Sequence, residues 1–193
     1  MALKRFKIDG YGQLELNNVF FRREGAIEAQ CALDGTKFAE DGKADGEKIY
    51  AENGMLLAVD KANGLVKLPS GDEEILPIAL NYSTEHMYDE RKKSLSDYYL
   101  PAGTFYPRMG YIKTGEVWTT NTICYDDSEF TNDEKLVEAL LTCAKTPVYG
   151  TYSTLGAVKL TKTAPSNKVV LKVVKYYTMP NGTPGVKLQV VRA

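Results

Sequence analysis

Side chains capable of catalysis or ligation are few and scattered. His86 is the sole histidine, so any triad or histidine acid–base pair must be built on it. It sits in the polar run Ser83-Thr84-Glu85-His86-Met87-Tyr88, without a Gly-x-Ser-x-Gly elbow or a matched cysteine context, and reads as a surface histidine. The stretch Asp41-Gly42-Lys43-Ala44-Asp45-Gly46, with Glu52 beyond it, is the nearest approach to a metal loop. Asp41, Asp45, Gly46 and Glu52 match ligand or turn positions of an EF-hand. Lys43 puts a cation where a ligand belongs, however, and no amphipathic helices flank the loop, so a solvated turn is expected. Carboxylates also cluster at Asp72-Glu73-Glu74 and at Asp126-Asp127-Ser128-Glu129. Loop and capping roles account for the second cluster, and a glycosidase would need a pair held across a cleft.

The three cysteines, Cys31, Cys124 and Cys143, are odd in number and far apart, which supports neither a metal knuckle nor a redox pair. They are expected as buried, reduced thiols. Phosphate-cradling glycine loops do not occur. No catalytic, metal-ligating or cofactor-binding residue is nominated, and the reading is of a protein that is not an enzyme and carries no cofactor.

What remains is a scaffold. With 193 residues, 44 % apolar and 25 % charged, the chain can bury one sizeable core. A net charge of −1 offers no general field for nucleic acid. No run approaches the ~20 apolar residues of a membrane span, and the N-terminus lacks the apolar core of a signal peptide. Synthesis in a reducing cytoplasm is expected.

Thr104–Tyr125 forms the centre of the pattern. Two aromatic and β-branched runs flank Lys113-Thr114-Gly115-Glu116, which predicts a hairpin. Alternation in Ala26–Leu33 predicts a strand with Ile27, Ala29, Cys31 and Leu33 on its buried face. Residues 36–53 read as a long polar loop. Gly54–Leu68 predicts a tight hairpin through Asn63-Gly64. Pro77 confines the Ile75–Tyr82 strand to an edge or a bulge.

One helix is predicted, over about 132–145, capped by Thr131 or Asn132 and ended by Pro147. Leu136, Val137, Leu140, Leu141 and Ala144 give it an apolar face. Short strands follow at 148–152 and 157–161. A long final pair, Lys168–Tyr177 and Gly185–Val191, turns at Asn181-Gly182. Thirteen tyrosines include the pairs Tyr98-Tyr99 and Tyr176-Tyr177, whose members in a strand point to opposite faces and so place some at the surface.

The fold class is therefore mainly β: a small barrel or two-sheet sandwich with one covering helix and an extended N-terminal arm. The chain divides into an arm and loop-rich segment, 1–53, and a β-rich body, 54–193. Several stretches resemble small virion proteins of tailed bacteriophages and prophages. They are Gly54-Met55-Leu56-Leu57-Ala58-Val59-Asp60, Pro77-Ile78-Ala79-Leu80-Asn81-Tyr82-Ser83, Tyr88-Asp89-Glu90-Arg91, Thr146-Pro147-Val148-Tyr149-Gly150 and the run Val173–Gly182.

That resemblance implies a non-enzymatic capsid decoration or auxiliary head protein, located on the virion surface. Its partners would be the major capsid protein and further copies of itself, with no nucleic acid or membrane. An arm of this class lies across capsid subunits, which nominates Phe6, Ile8, Tyr11, Phe20 and Phe21 as interface residues. The alternative is a carbohydrate- or receptor-binding module of a tail or fibre, with exposed tyrosines and Trp118 stacking on sugars. In either case the apolar C-terminal strand must be paired inside a sheet. A chain ending at Pro180 should lose its cooperative melting transition, followed by circular dichroism.

Overall fold

A computed structural model of the chain describes residues 2–6, 12–40, 47–71, 74–83, 99–103, 106–180 and 182–193. From the N-terminus come β1 (Leu3–Arg5), β2 (Leu14–Asn18), the single-turn helix α1 (Phe21–Glu24), β3 (Ile27–Glu28) and β4 (Ala32–Leu33). Next are β5 (Leu56–Asp60), β6 (Leu65–Lys67), β7 (Ile78–Asn81), β8 (Met109–Tyr111), β9 (Val117–Thr120) and β10 (Ile123–Asp126). Helix α2 (Asp133–Leu141) precedes β11 (Tyr149–Thr151), β12 (Val158–Thr161), β13 (Val170–Thr178) and β14 (Pro184–Arg192). A large sheet has the order β1-β10-β12-β11-β13-β14-β9-β2, and a smaller one β3-β8-β7-β5-β6-β4. The mainly β class holds, as two packed sheets with one substantial helix and without closure into a barrel. Segments before residue 54 supply strands to both sheets.

Strand alternation gives the small sheet a core on each side. Leu56, Ala58, Ile78 and Leu80 join Trp118, Ile123, Leu171 and Leu188 of the large sheet, together with Leu136 and Leu140 of α2. Leu57, Val59 and Ala79 belong to a second core with Leu33, Phe38, Ala51 and Leu100. Helix α2 starts where Asn132 accepts the Lys135 N–H at 2.9 Å. It ends earlier than expected. Thr142 Oγ1 turns back onto the carbonyls of Glu138 and Ala139, and residues 142–145 form a turn.

Several sequence expectations need correction; β7, which follows Pro77, lies inside the small sheet between β8 and β5 and not at its edge. The central segment is not a hairpin, because β8 belongs to the small sheet and β9 to the large one. The turn between them carries the chain from layer to layer, and Glu116 makes it do so. This carboxylate is fully buried. It accepts the N–H of Lys113 at 3.0 Å, and the N–H groups of Phe20 and Phe21 at the head of α1. Gly115, at φ 95°, supplies the left-handed residue that the turn requires. The Gly115 N–H donates to Val190 O, and the Val190 N–H to Glu116 O, each at 2.9 Å, fastening the turn to β14.

The second run also breaks. Between β9 and β10, Asn121 Oδ1 accepts the Gln13 N–H at 2.6 Å, and Thr122 Oγ1 donates to Asn53 O at 2.6 Å. Three residues span at most ~11 Å, so the large sheet curls until β9 and β10 meet at this corner. Gly54, at φ 83°, lies so close that a Cβ there would overlap Thr120 Oγ1.

Ala26–Leu33 is likewise two strands, β3 and β4, at opposite edges of the small sheet. The Glu28 carboxylate folds back to accept the Ala29 and Gln30 N–H groups at 3.0 and 2.8 Å, turning the chain. The hairpin β5–β6 forms as expected, although only Gly64 has positive φ. Asp60 holds its turn, accepting from Asn63 Nδ2 and Lys67 Nζ at 2.7 Å each. Strand β14 lies inside the large sheet between β13 and β9.

Replacing Glu116 by Ala leaves the buried Phe21 N–H and the part-buried N–H groups of Phe20 and Lys113 without their acceptor, so a loss of ~2–5 kcal/mol is expected in denaturant titration. Glu116→Gln keeps one acceptor oxygen and turns an amide donor toward another donor, and should cost a smaller ~1–3 kcal/mol. An Ala variant within ~0.5 kcal/mol of the native chain, the range of ordinary surface changes, would refute the clasp.

Candidate functional site

The nominated interface residues separate. Phe6 is buried in the main core, and its N–H extends the β1–β10 pairing by donating to Ile123 O at 3.0 Å. Phe21 is fully buried, with its ring centroid 5.0 Å from that of Tyr82. Neither offers area to a partner, because both side chains are packed into the chain's own core. Phe20 is half-buried beneath the Arg23 guanidinium, 5.3 Å from the ring centre. Ile8 and Tyr11 lie outside the described residues, as do His86, Tyr98 and the 41–46 loop. Trp118 is fully buried, which removes it from any sugar-stacking surface.

Two other groupings bring ionisable side chains together. Glu28, at the turn after β3, lies 3.2 Å from Lys61 Nζ, with Cys31 and the Tyr111 ring beside them. The Gln30 N–H, with Lys61 adding to it, holds the Glu28 carboxyl below its usual range despite burial. Burial, then the Glu28 charge, pushes the Cys31 thiol up. A nucleophilic cysteine needs the reverse field, so this thiol sits protonated beside an ion pair. Cys124 and Cys143 are also buried and unpaired.

At the start of α2, Lys4, Arg5, Tyr125 and residues 131–134 line an open cleft of about 520 Å³. Several of its polar groups are committed to neighbours. Lys4 pairs with Asp127 at 2.6 Å, Arg5 with Glu52 at 2.7 Å, and the Tyr125 hydroxyl donates to Asp133 at 2.6 Å.

The outer face of the large sheet is different. Leu188 and Trp118 pair inward, so Lys187 and Thr119, one position along, point outward, in a row with Lys175 and Glu15. Tyr176 packs on the core and Tyr177 turns outward, as the strand period requires. Opposite Tyr177 in the register is Gly185. The phenol reaches over β14 to donate to Glu15 Oε2 at 2.7 Å and lies 2.9 Å from Thr119 Oγ1. Burial raises its pKa, and the Glu15 charge adds to the rise.

Lys175 and Lys187 place their ammonium groups 5.6 and 6.0 Å from the Tyr177 ring centre. Lys172, Gln189 and the apolar Val174 and Val191 are exposed on the same hairpin, the two valines at 46 and 47 %. The result is a half-exposed aromatic anchor, fixed at both ends and framed by cations and apolar area. Sequence periodicity sends one of Tyr176 and Tyr177 outward without saying which. The partners of Tyr177 on β2 and β9 come from strand pairings that no local pattern announces.

No family model matches the chain, and no curated protein or solved structure matches it either.

Tyr125 carries the clearest pH dependence. Burial, then Asp133, pushes its phenol up to about 12 from an ordinary value of 10.0. A raised tyrosine favours the neutral form in the fold. Its stabilising contribution is complete below the unfolded pKa and disappears as pH climbs toward the folded one. Thermal stability should therefore fall between pH 10 and about 12, less steeply in Tyr125→Phe, as followed by melting in alkaline buffers.

Proposed function

We propose that the chain is a non-enzymatic structural protein of a bacteriophage virion, binding and stabilising the capsid as a decoration or auxiliary head protein. The observation that carries this reading is the outer face of the β13–β14 hairpin. Tyr177 is immobilised before any partner arrives, and tyrosines held this way contribute strongly to interfaces because little side-chain freedom remains to be lost. Exposed Val174 and Val191 add apolar area at ~25 cal/mol per Å² buried. Lys172, Lys175 and Lys187 give the face a cationic character within a chain of net charge −1, suiting an acidic surface.

The sequence resemblance from Gly54 onward supports the same class. So does an architecture whose N-terminal segment is knitted into both sheets, since a protein that cements a shell must resist pulling. Bridging neighbouring capsid subunits raises the barrier to their separation by mass action on the assembled state.

Cosedimentation with capsids stripped of auxiliary proteins tests the proposal. The native chain should pellet with capsids and raise their thermal disruption temperature. Tyr177→Ala and the pair Lys175→Glu, Lys187→Glu should each weaken binding ~10-fold or more, about 1.4 kcal/mol, while leaving the chain folded. Native chain that stays in the supernatant while binding on a glycan array would overturn the capsid reading in favour of a sugar-binding module.

A further inference from the structure

We infer that the free edge of β13 from Val174 to Thr178 is a docking site for an extended acidic segment of a partner protein, added to the large sheet as a further strand. The inference deepens the proposed function by giving the partner a chemistry and a mode of attachment, and for its biological setting it rests on that reading.

The edge exists because β11 stops short. Strands β11 and β13 pair only at Tyr149↔Lys172 and Gly150↔Leu171, and the Val173 N–H donates to Val148 O at 2.8 Å. Pro147 comes next, with no N–H to give. Beyond that point β13 runs on for five residues, paired on its other side with β14.

The direction of its backbone groups follows from the turn. The Met179 N–H donates to Thr183 O at 2.8 Å, so Met179, Tyr177 and Lys175 aim their N–H and C=O at β14. Tyr176 and Thr178 therefore aim theirs outward. Among the described residues no backbone bond meets them. Val174 O has only the Cys143 thiol, at 3.9 Å. Thr178 and Lys175 are exposed and Tyr176 is half-exposed, so the edge is open to solvent.

Charge selects the occupant. Lys172 and Lys175 project from this strand and Lys187 from its neighbour, while the one carboxylate in that row, Glu15, is bonded to Tyr177. A second copy would set one lysine-bearing edge against another, the device by which proteins blunt edges against self-pairing. A segment with acidic side chains on alternate positions is attracted instead, and its backbone supplies the missing ladder. Val174, 46 % exposed on the strand itself, offers apolar contact at this edge. The register shift between Val173 and Lys175 lies at the start of the free edge, a common position for bulges at binding edges.

The test uses the full chain and a short synthetic peptide of alternating glutamate and valine, with a lysine–valine peptide as control. Hydrogen exchange by NMR should show the Tyr176 and Thr178 amides slowed by the acidic peptide and unaffected by the control. Thr178→Pro removes an outward N–H and leaves the β13–β14 bonds in place. It should weaken the acidic peptide ~10-fold or more at unchanged melting temperature. Lys172→Glu with Lys175→Glu should reverse the peptide preference, a readout that does not depend on how proline is tolerated.

Unchanged exchange at both amides with millimolar acidic peptide would overturn the inference, whether or not capsids bind. Absence of capsid binding by the native chain would overturn only the virion reading, because the peptide experiment contains no capsids. Capsid binding lost in Thr178→Pro would join the two; equal capsid binding by both proteins would refute the edge as the capsid contact.

Discussion

Two sheets that share a core must be held at one spacing and one angle, and in this chain much of that constraint passes through Glu116. Its hydrogen-bond partners are backbone N–H groups from the turn between layers and from the head of α1. A buried carboxylate satisfied by backbone donors is electrostatically tolerable because the amide dipoles replace lost water. It is also directional. An apolar residue in the same place could fill the volume but could not fasten the turn to the head of α1, and β14 is tied to the same turn through its backbone. The large sheet can therefore curl around the small one without closing.

The corner between β9 and β10 completes the arrangement by a different route. There the buried polar side chains of Thr120, Asn121 and Thr122 are bonded to backbone groups of Gln13 and Asn53, and glycine allows the close approach. Buried networks whose members are satisfied specify one arrangement over its neighbours. The N-terminal segment belongs to this device. It supplies β1 to one end of the large sheet and β2 to the other, with Gln13 bonded at the corner where the ends approach. β1 and β2 are committed to the chain's own sheet in this way, and Phe6 and Phe21 are buried in the fold.

Elements whose signal is local were legible in the sequence: the Asn63-Gly64 hairpin, the capped helix and the long C-terminal pair. Misread elements were those decided by a distant partner. Glu28 sits in a pattern of alternating apolar residues that reads as one strand, yet its side chain bonds its own backbone and breaks the run. Glu116 reads as an ordinary polar turn residue, since nothing near it reveals that Phe20 and Phe21 will arrive. For the candidate site, the strand period told that one of Tyr176 and Tyr177 points outward, but not which one, nor that Glu15, 162 residues away, anchors Tyr177.

The outer hairpin then acquires its character by subtraction. Most long apolar side chains are drawn into the two cores, leaving on β13 and β14 a sparse mixture of lysines, two valines and one fixed tyrosine. Such a surface is too polar to collapse on itself and too ordered to be inert. Lysines beside an open edge oppose pairing with an identical chain, and the same charges favour an acidic partner, so one set of residues both prevents self-association and sets specificity. Both properties arise where β11 begins two residues after Pro147 and β13 continues past it.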